Sequence, residues 1–197
     1  MEISIDNFLD GKIKIYQPRK GYRAGIDAIL LASCVKVFKN CKILDIGSGY
    51  GIISFFIASK YKNVDIAGIE KNPKYCSLAM KSLKINKLKS KIKFLNKDFK
   101  YVSDMQSDVI VSNPPWFRLN STYKSCNFLL NDAKIESLKL DLWIDKVLKN
   151  LNLTGEYYTI FPYTRIKELI SILRIHFKSV KVYPVSSFKS RKPDKAI

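Results

Sequence analysis

The tetrapeptide Asn113-Pro114-Pro115-Trp116 directly follows the mostly apolar run Asp108-Val109-Ile110-Val111-Ser112. Two successive prolines fix an extended loop and remove two backbone donors, which leaves carbonyl acceptors in excess. An Asn113 side-chain oxygen and a Pro114 carbonyl at this spacing suit one task, accepting hydrogen bonds from both N–H groups of an exocyclic amine. Such a nitrogen is a poor nucleophile because its lone pair is delocalised into the ring. Holding both N–H groups favours a pyramidal nitrogen whose lone pair points outward. Trp116 offers a face on which a base can stack, an interaction of roughly 1–3 kcal/mol. No strong general base is needed, since the proton leaves after attack, and the single histidine, His176, is read as structural.

A second constellation lies upstream. Asp45-Ile46-Gly47-Ser48-Gly49-Tyr50-Gly51 ends an apolar strand and opens a helix. Glycines there let the backbone turn sharply and approach a ligand with no Cβ in the way. Nicotinamide and flavin enzymes use a similar turn, but three details point to S-adenosylmethionine. The loop reads Gly-x-Gly-x-Gly, shorter than the Gly-x-Gly-x-x-Gly of dinucleotide folds. Asp45 is suited to an ammonium and would repel a pyrophosphate. Glu70 closes the next strand, placed to accept both ribose hydroxyls. After the third strand, Asn96-Lys97-Asp98-Phe99 offers Asp98 to an adenine amino group and Phe99 to the base. With an activated methyl supplied by the cofactor, the protein's main task is alignment.

These residues need a frame that brings strand ends together. The Asp10-Gly11 turn between Phe8-Leu9 and the alternating 12–16 predicts a β-hairpin. Apolar positions recur at helical spacing from Ile26 to Phe38. Strands are expected at 42–46, 64–70, 91–95, 108–112, 155–161 and 180–185. Helices are expected at 52–60, from Pro73 to about Asn86, from an Asn131 cap to about Asn150, and at 164–177. This alternation predicts an α/β fold with a mostly parallel sheet and helices on both faces. One domain is expected over 1–197, with hairpin and helix in 1–40 and the core in 41–197. A seventh strand is expected to be missing or severely shortened, because the chain stops at Ala196-Ile197.

Bulk properties narrow the partners. A net charge of +18, from 35 Lys plus Arg against 17 Asp plus Glu, creates a field that attracts polyanions and points to nucleic acid. Lys, Asn and Ile share AT-rich codons, and codon bias alone would raise the lysine count, yet the acids have not risen in step. Eight lysines fall in 81–100, a run read as a solvated face, and Phe188-Lys189-Ser190-Arg191-Lys192-Pro193 interleaves an aromatic with cations that would grip phosphate. No apolar run approaches the roughly 20 residues of a membrane span, and no signal peptide opens the chain, so a cytoplasmic protein is expected. Cys34, Cys41, Cys76 and Cys126 are scattered, without a CxxC pair, and read as reduced thiols; no metal site is expected. The sequence is compatible with a monomer.

The Asn-Pro-Pro-aromatic motif resembles that of the amino-methyltransferases, which are class I, Rossmann-like enzymes using S-adenosylmethionine. Within that group the chain is similar, over nearly its whole length, to the bacterial tRNA1(Val) adenine-N6 methyltransferases. Gln17 with Gly21-Tyr22-Arg23-Ala24-Gly25-Ile26-Asp27-Ala28-Ile29-Leu30-Leu31-Ala32, the 45–53 loop, and Asn131-Asp132-Ala133-Lys134-Ile135-Glu136 carry the likeness. The resemblance implies N6-methylation of the tRNA adenosine beside the anticodon, at position 37. It implies catalysis by 113–116 and secondary cofactor contacts from Arg23 and Asp27. Two residues depart from the family: Trp116 stands where tyrosine or phenylalanine is usual, and Lys134 where arginine is common, which forfeits a guanidinium fork. The alternatives are another RNA amine (adenine N6 or guanine N2 of rRNA) or glutamine N5 of a release factor. Release-factor enzymes usually carry an N-terminal helical bundle, for which the residues before the first core strand are too few. An RNA-binding subunit without catalysis is disfavoured by the intact Gly47, Gly49, Glu70 and Asn113. The segment Arg118 to Cys126 is read as a lid.

Overall fold

A computed structural model describes residues 2–21, 23–114, 139–187 and 192–197. The chain opens with a hairpin, β1 (Ile3–Phe8) against β2 (Ile13–Pro18), followed by α1 (Ile26–Cys34). Then come β3 (Lys42–Ile46), α2 (Ile52–Lys60), β4 (Asp65–Glu70), α3 (Pro73–Ile85), β5 (Lys91–Asn96) and β6 (Ser107–Ser112). Past the Asn-Pro loop lie α4 (Leu140–Asn150), β7 (Leu151–Thr159), β8 (Phe161–Pro162), α5 (Ile166–His176), β9 (Pro184–Val185) and β10 (Lys195–Ala196). Five parallel strands form the central sheet in the order β5-β4-β3-β6-β7. Among the described residues, no helix is long and apolar enough to cross a membrane.

Side chains alternate across a strand, so each strand feeds two cores. Ile43, Ile66, Val109 and Val111 join α1, α2, α3 and the hairpin on one side. Leu44, Ile46, Ala67, Ile69 and Ile110 join α4 and α5 on the other. Both sides are covered, which explains the continuous apolar reading of β3 and β6. The hairpin is latched to α3 by side chains. Asn86 accepts from the Lys14 N–H at 2.9 Å and donates to the Lys14 carbonyl at 2.7 Å, while Ser82 Oγ accepts from the Tyr16 N–H at 2.9 Å.

Four expectations need correction. The helix expected from an Asn131 cap to about Asn150 starts only at Leu140, because Lys139 is extended. The first helix ends at Cys34 rather than Phe38, because Val35 turns to extended backbone and is fully buried. The strand expected over 155–161 starts earlier, at Leu151, and breaks at Ile160. The strand expected at 180–185 shrinks to Pro184–Val185 and does not join the parallel sheet. It pairs antiparallel with β10, which also pairs antiparallel with β8. β10 is two residues long and set between β8 and β9, apart from the central sheet. The lid segment, Cys126, Lys134 and the Asn131 cap lie outside the described residues, as do residues 188–191 of the basic tail.

The Asn86 latch yields a prediction. Asn86→Ala strips the Lys14 backbone of both partners in a site 9% exposed, and should lower the unfolding free energy by about 1–3 kcal/mol. Urea denaturation measures the loss, and amide exchange should quicken at Lys14 first.

Candidate active site

The strand register brings the ends of β3, β4, β5 and β6 to one edge. Ile46 pairs with Ile69 on one side and Ser112 on the other, and Glu70 pairs with Asn96. Glu70 and Asn113, each one residue farther along, therefore flank Gly47 two strand spacings apart, on the order of 10 Å. The chain order also reverses between β3 and β6, and in open α/β sheets ligands bind in the crevice beyond such a switch point.

The glycine loop is held from below. The N–H groups of Gly47 and Ser48 both donate to the Ile69 carbonyl, at 2.8 and 2.9 Å, and Gly51 donates to Ser48 at 2.8 Å. Gly47 adopts φ +71 with open space where a Cβ would stand, so the backbone there is left uncovered. Gly51 serves a different need. At φ +83 it caps α2, and a Cβ on it would lie 2.6 Å from the Phe94 ring. Gly68 in β4 has the same neighbour, its Cβ position being 2.5 Å from Phe94. Tyr50 is buried beside the loop and meets the Tyr75 ring of α3 at 4.8 Å.

Asp45 and Glu70 share the α2–α3 side by strand parity. Asp45 is fully buried, and its Oδ2 accepts from the Ser54 hydroxyl at 2.6 Å and the Ser54 N–H at 3.2 Å. Its Oδ1 and the buried Ser48 hydroxyl have no hydrogen-bond partner among the described residues. Burial, opposed by the Ser54 bonds and aided by the nearby Glu70 charge, pushes the Asp45 carboxyl up to about 7. Burial also raises Glu70, against the pull of backbone donors and Lys71. Glu70 Oε2 accepts from the Gly49 N–H at 2.9 Å and Oε1 from the Asn72 N–H at 2.7 Å, so it shapes the loop directly. Each of its oxygens keeps one lone pair for a hydroxyl. Two buried carboxyls with one unpartnered oxygen between them among the described residues make a place suited to a positive group such as an ammonium, and unsuited to a pyrophosphate.

On the other side of the sheet, the position before Asn113 is braced. Ser112 Oγ lies 2.7 Å from the Tyr157 hydroxyl and donates to Thr159 Oγ1 at 3.4 Å. The Trp143 indole N–H donates to the same Tyr157 oxygen at 3.1 Å. Burial holds the Tyr157 phenol above its ordinary value, although these hydrogen bonds lower it. Asn113 is half-buried and Pro114 buried, while Pro115 and Trp116 lie outside the described residues. Sequence reading misses Ser54, Tyr157, Thr159 and Trp143. Only strand parity between 157, 159 and the register partner 112 signals the last group, and that register becomes visible once the sheet is built.

The remaining expected residues have structural partners. Arg23 donates to Asp6, to the Pro18 carbonyl at 2.5 Å and to Ser4 Oγ at 3.3 Å. Gln17, from the same sequence signature, joins Asp6 to the Ala24 N–H. Asp27 pairs with Lys195 of β10. Asp98 is exposed and caps the short turn Phe99–Tyr101, accepting from the Lys100 N–H at 2.9 Å. Phe99 is 6% exposed, and its ring packs on Trp143 of α4 at 5.3 Å.

Comparison with known proteins bears on this geometry. The family model described as Methyltransferase small domain matches residues 24–139. A tRNA1(Val) (adenine(37)-N6)-methyltransferase of Flavobacteriaceae bacterium (strain 3519-10) is 26% identical over 153 residues, 77% of this chain and 64% of the relative. A release factor glutamine methyltransferase of Fusobacterium nucleatum is 37% identical over 99 residues, 45% of this chain and 26% of the relative. Among solved structures, a T. thermophilus 16S rRNA N2 methyltransferase in complex with AdoMet and guanosine superposes with a TM-score of 0.67. It shares 17% identity, over 99% of this chain and 49% of its own, a likeness of fold alone. The chain thus spans less than two thirds of each of these proteins.

The brace behind Asn113 is testable by a double-mutant cycle. Tyr157→Phe should lower stability by about 1–3 kcal/mol, because it removes the buried oxygen to which both the Trp143 N–H and the Ser112 hydroxyl are hydrogen-bonded. Ser112→Ala together with Tyr157→Phe should lose less than the sum of the single variants. Strict additivity in guanidinium unfolding would mean that the two hydroxyls do not interact.

Proposed function

The chain belongs to the methyltransferase small domain family, and from that premise we propose that it methylates N6 of a tRNA adenosine beside the anticodon. S-adenosylmethionine supplies the activated methyl on its sulfonium. The observation that carries the reading is the pairing of a cation-seeking pocket, Asp45 with Glu70 under an open Gly47, with an amide and proline-carbonyl loop across β3. In this reading Asp45 faces the ammonium, Glu70 accepts from the ribose hydroxyls and Asp98 takes the adenine amino group. Arg23 and Asp27 act at one remove, tying the segment before α1 to the hairpin and to β10.

Asn113 Oδ1 and the Pro114 carbonyl accept the two N–H groups of the target amine, which localises its lone pair. Trp116 stacks on the target base. The name of the Flavobacteriaceae relative supports tRNA and position 37, and a net charge of +18 supports a polyanionic substrate. An anticodon loop presents unstacked bases, which reduces the work of swinging one into a pocket.

The test is methyl transfer from labelled S-adenosylmethionine to unmodified tRNA, followed by nucleoside analysis. Label in N6-methyladenosine, reduced on the order of 10²–10³-fold by Asn113→Ala, is expected, the scale of losing one preorganised polar group. Label in rRNA or a release factor instead would overturn the tRNA assignment. Asp45 gives a second prediction. Its carboxyl, at about 7 in the free protein, falls when an ammonium binds, so binding below that pH releases a proton. Calorimetric affinity for S-adenosylmethionine should therefore rise with pH from about 5 to 7 and level off above. In Asp45→Asn the profile should be flat and the affinity lower.

A further inference from the structure

Between Glu70 and Asp98 the sequence has nine lysines and no acidic residue. All nine lysines are exposed. Three of them, Lys74, Lys81 and Lys84, fall at i, i+7 and i+10 on α3, with exposed Ser77 filling the turn between. That spacing makes one stripe about 15 Å long on the solvent face of the helix. The lysines continue through the connection after α3 and return along β5, the last strand on that side of the sheet. Lys91 and Lys93 share a strand parity opposite to Phe94, so they project on the side of the sheet away from α3. The positive strip therefore wraps the sheet edge. The facing acid is Asp65, the register partner of Lys91.

The strip also reaches the candidate active site. Lys71 follows Glu70 directly, Pro73 starts α3 three residues after it, and the Lys97 N–H donates to the Glu70 carbonyl at 3.2 Å. Lysines thus run without interruption from the crevice rim down α3 and around the edge.

We propose that this strip holds the phosphate backbone of the RNA substrate beyond the nucleotide being modified, reading no base. Lysine is a flexible point-charge donor, suited to phosphates at varied positions and unsuited to bidentate base recognition. A wrapped edge favours a backbone that curves around it; a planar anionic lipid surface would meet one side only. The proposal rests on the RNA-methylation reading for the identity of the RNA, but its test is a binding measurement that needs no chemistry.

The variant Lys74→Ala/Lys81→Ala/Lys84→Ala removes the helical stripe while substituting the best helix former. The comparison variant, Lys149→Ala/Lys167→Ala/Lys178→Ala, removes the same charge from exposed positions on and beside α4 and α5. Fluorescence anisotropy with an unmodified tRNA transcript is followed across a salt series. The stripe variant should lose affinity about tenfold or more, and its log–log salt slope should shrink by about two to three, near 0.9 for each phosphate no longer neutralised. The comparison variant should change the slope by less than about one, and both should bind S-adenosylmethionine like the parent chain. Equal slope losses in the two variants would show a diffuse charge effect and overturn the proposal. So would an unchanged stripe variant, or one that loses phosphatidylglycerol vesicles while keeping tRNA. Stripe-dependent RNA binding by a parent chain that methylates no RNA would sink the N6 reading and leave the strip standing.

Discussion

Asp45 and Glu70 lie buried side by side at the ends of neighbouring strands, where two negative charges are hard to keep. Removal from water disfavours an ionised carboxylate unless hydrogen bonds or a counter-charge offset it. Ser54 supplies hydrogen bonds to the first, and the backbone of Gly49 and Asn72 to the second. Those same bonds define the start of α2 and the path of the glycine loop. What stays unsatisfied among the described residues, one Asp45 oxygen and the Ser48 hydroxyl, is what a cationic ligand would complete. The loop, the helix start and the ligand preference all follow from how one pair of acids is buried.

The sheet divides the labour by parity. Odd positions of β3 and even positions of β4 send Asp45, Gly68 and Glu70 toward α2 and α3. The even position 112 and its register partner 159 send their hydroxyls toward α4, where Tyr157 and Trp143 complete the brace. The buried acid pair and the brace behind Asn113 thus lie on opposite sides of the sheet, near the point where chain order reverses between β3 and β6.

Much of this is legible from local pattern. Lys42–Ile46 and Ile52–Lys60 have the bounds expected of them, because an apolar run closed by Gly-x-Gly-x-Gly leaves the strand and helix little freedom. Pro73 likewise announces the start of α3. What local pattern misses depends on distant partners. Val35 leaves helical geometry to fill a core, and of 180–185 only 184–185 form a strand, which Tyr183 extends by two backbone hydrogen bonds to Ile197. Asp98 and Phe99 are adjacent in sequence, yet one caps a turn at the surface while the other packs under Trp143. Arg23 bonds to an acid 17 residues away and Asp27 to a lysine 168 away, pairings for which local sequence has no signal.

The Phe94 ring has a consequence for how such sequences diverge. It fills the space where side chains at both 51 and 68 would begin, so one aromatic on β5 rests against two missing Cβ atoms on different elements. Position 94 stays large only while both glycines persist, and an alanine at 68 requires a smaller residue at 94 or a displaced strand. The three positions form a unit under substitution. In descendants of this chain they should covary or remain fixed together, a linkage across 43 residues that neither their burial nor their neighbours in sequence would disclose.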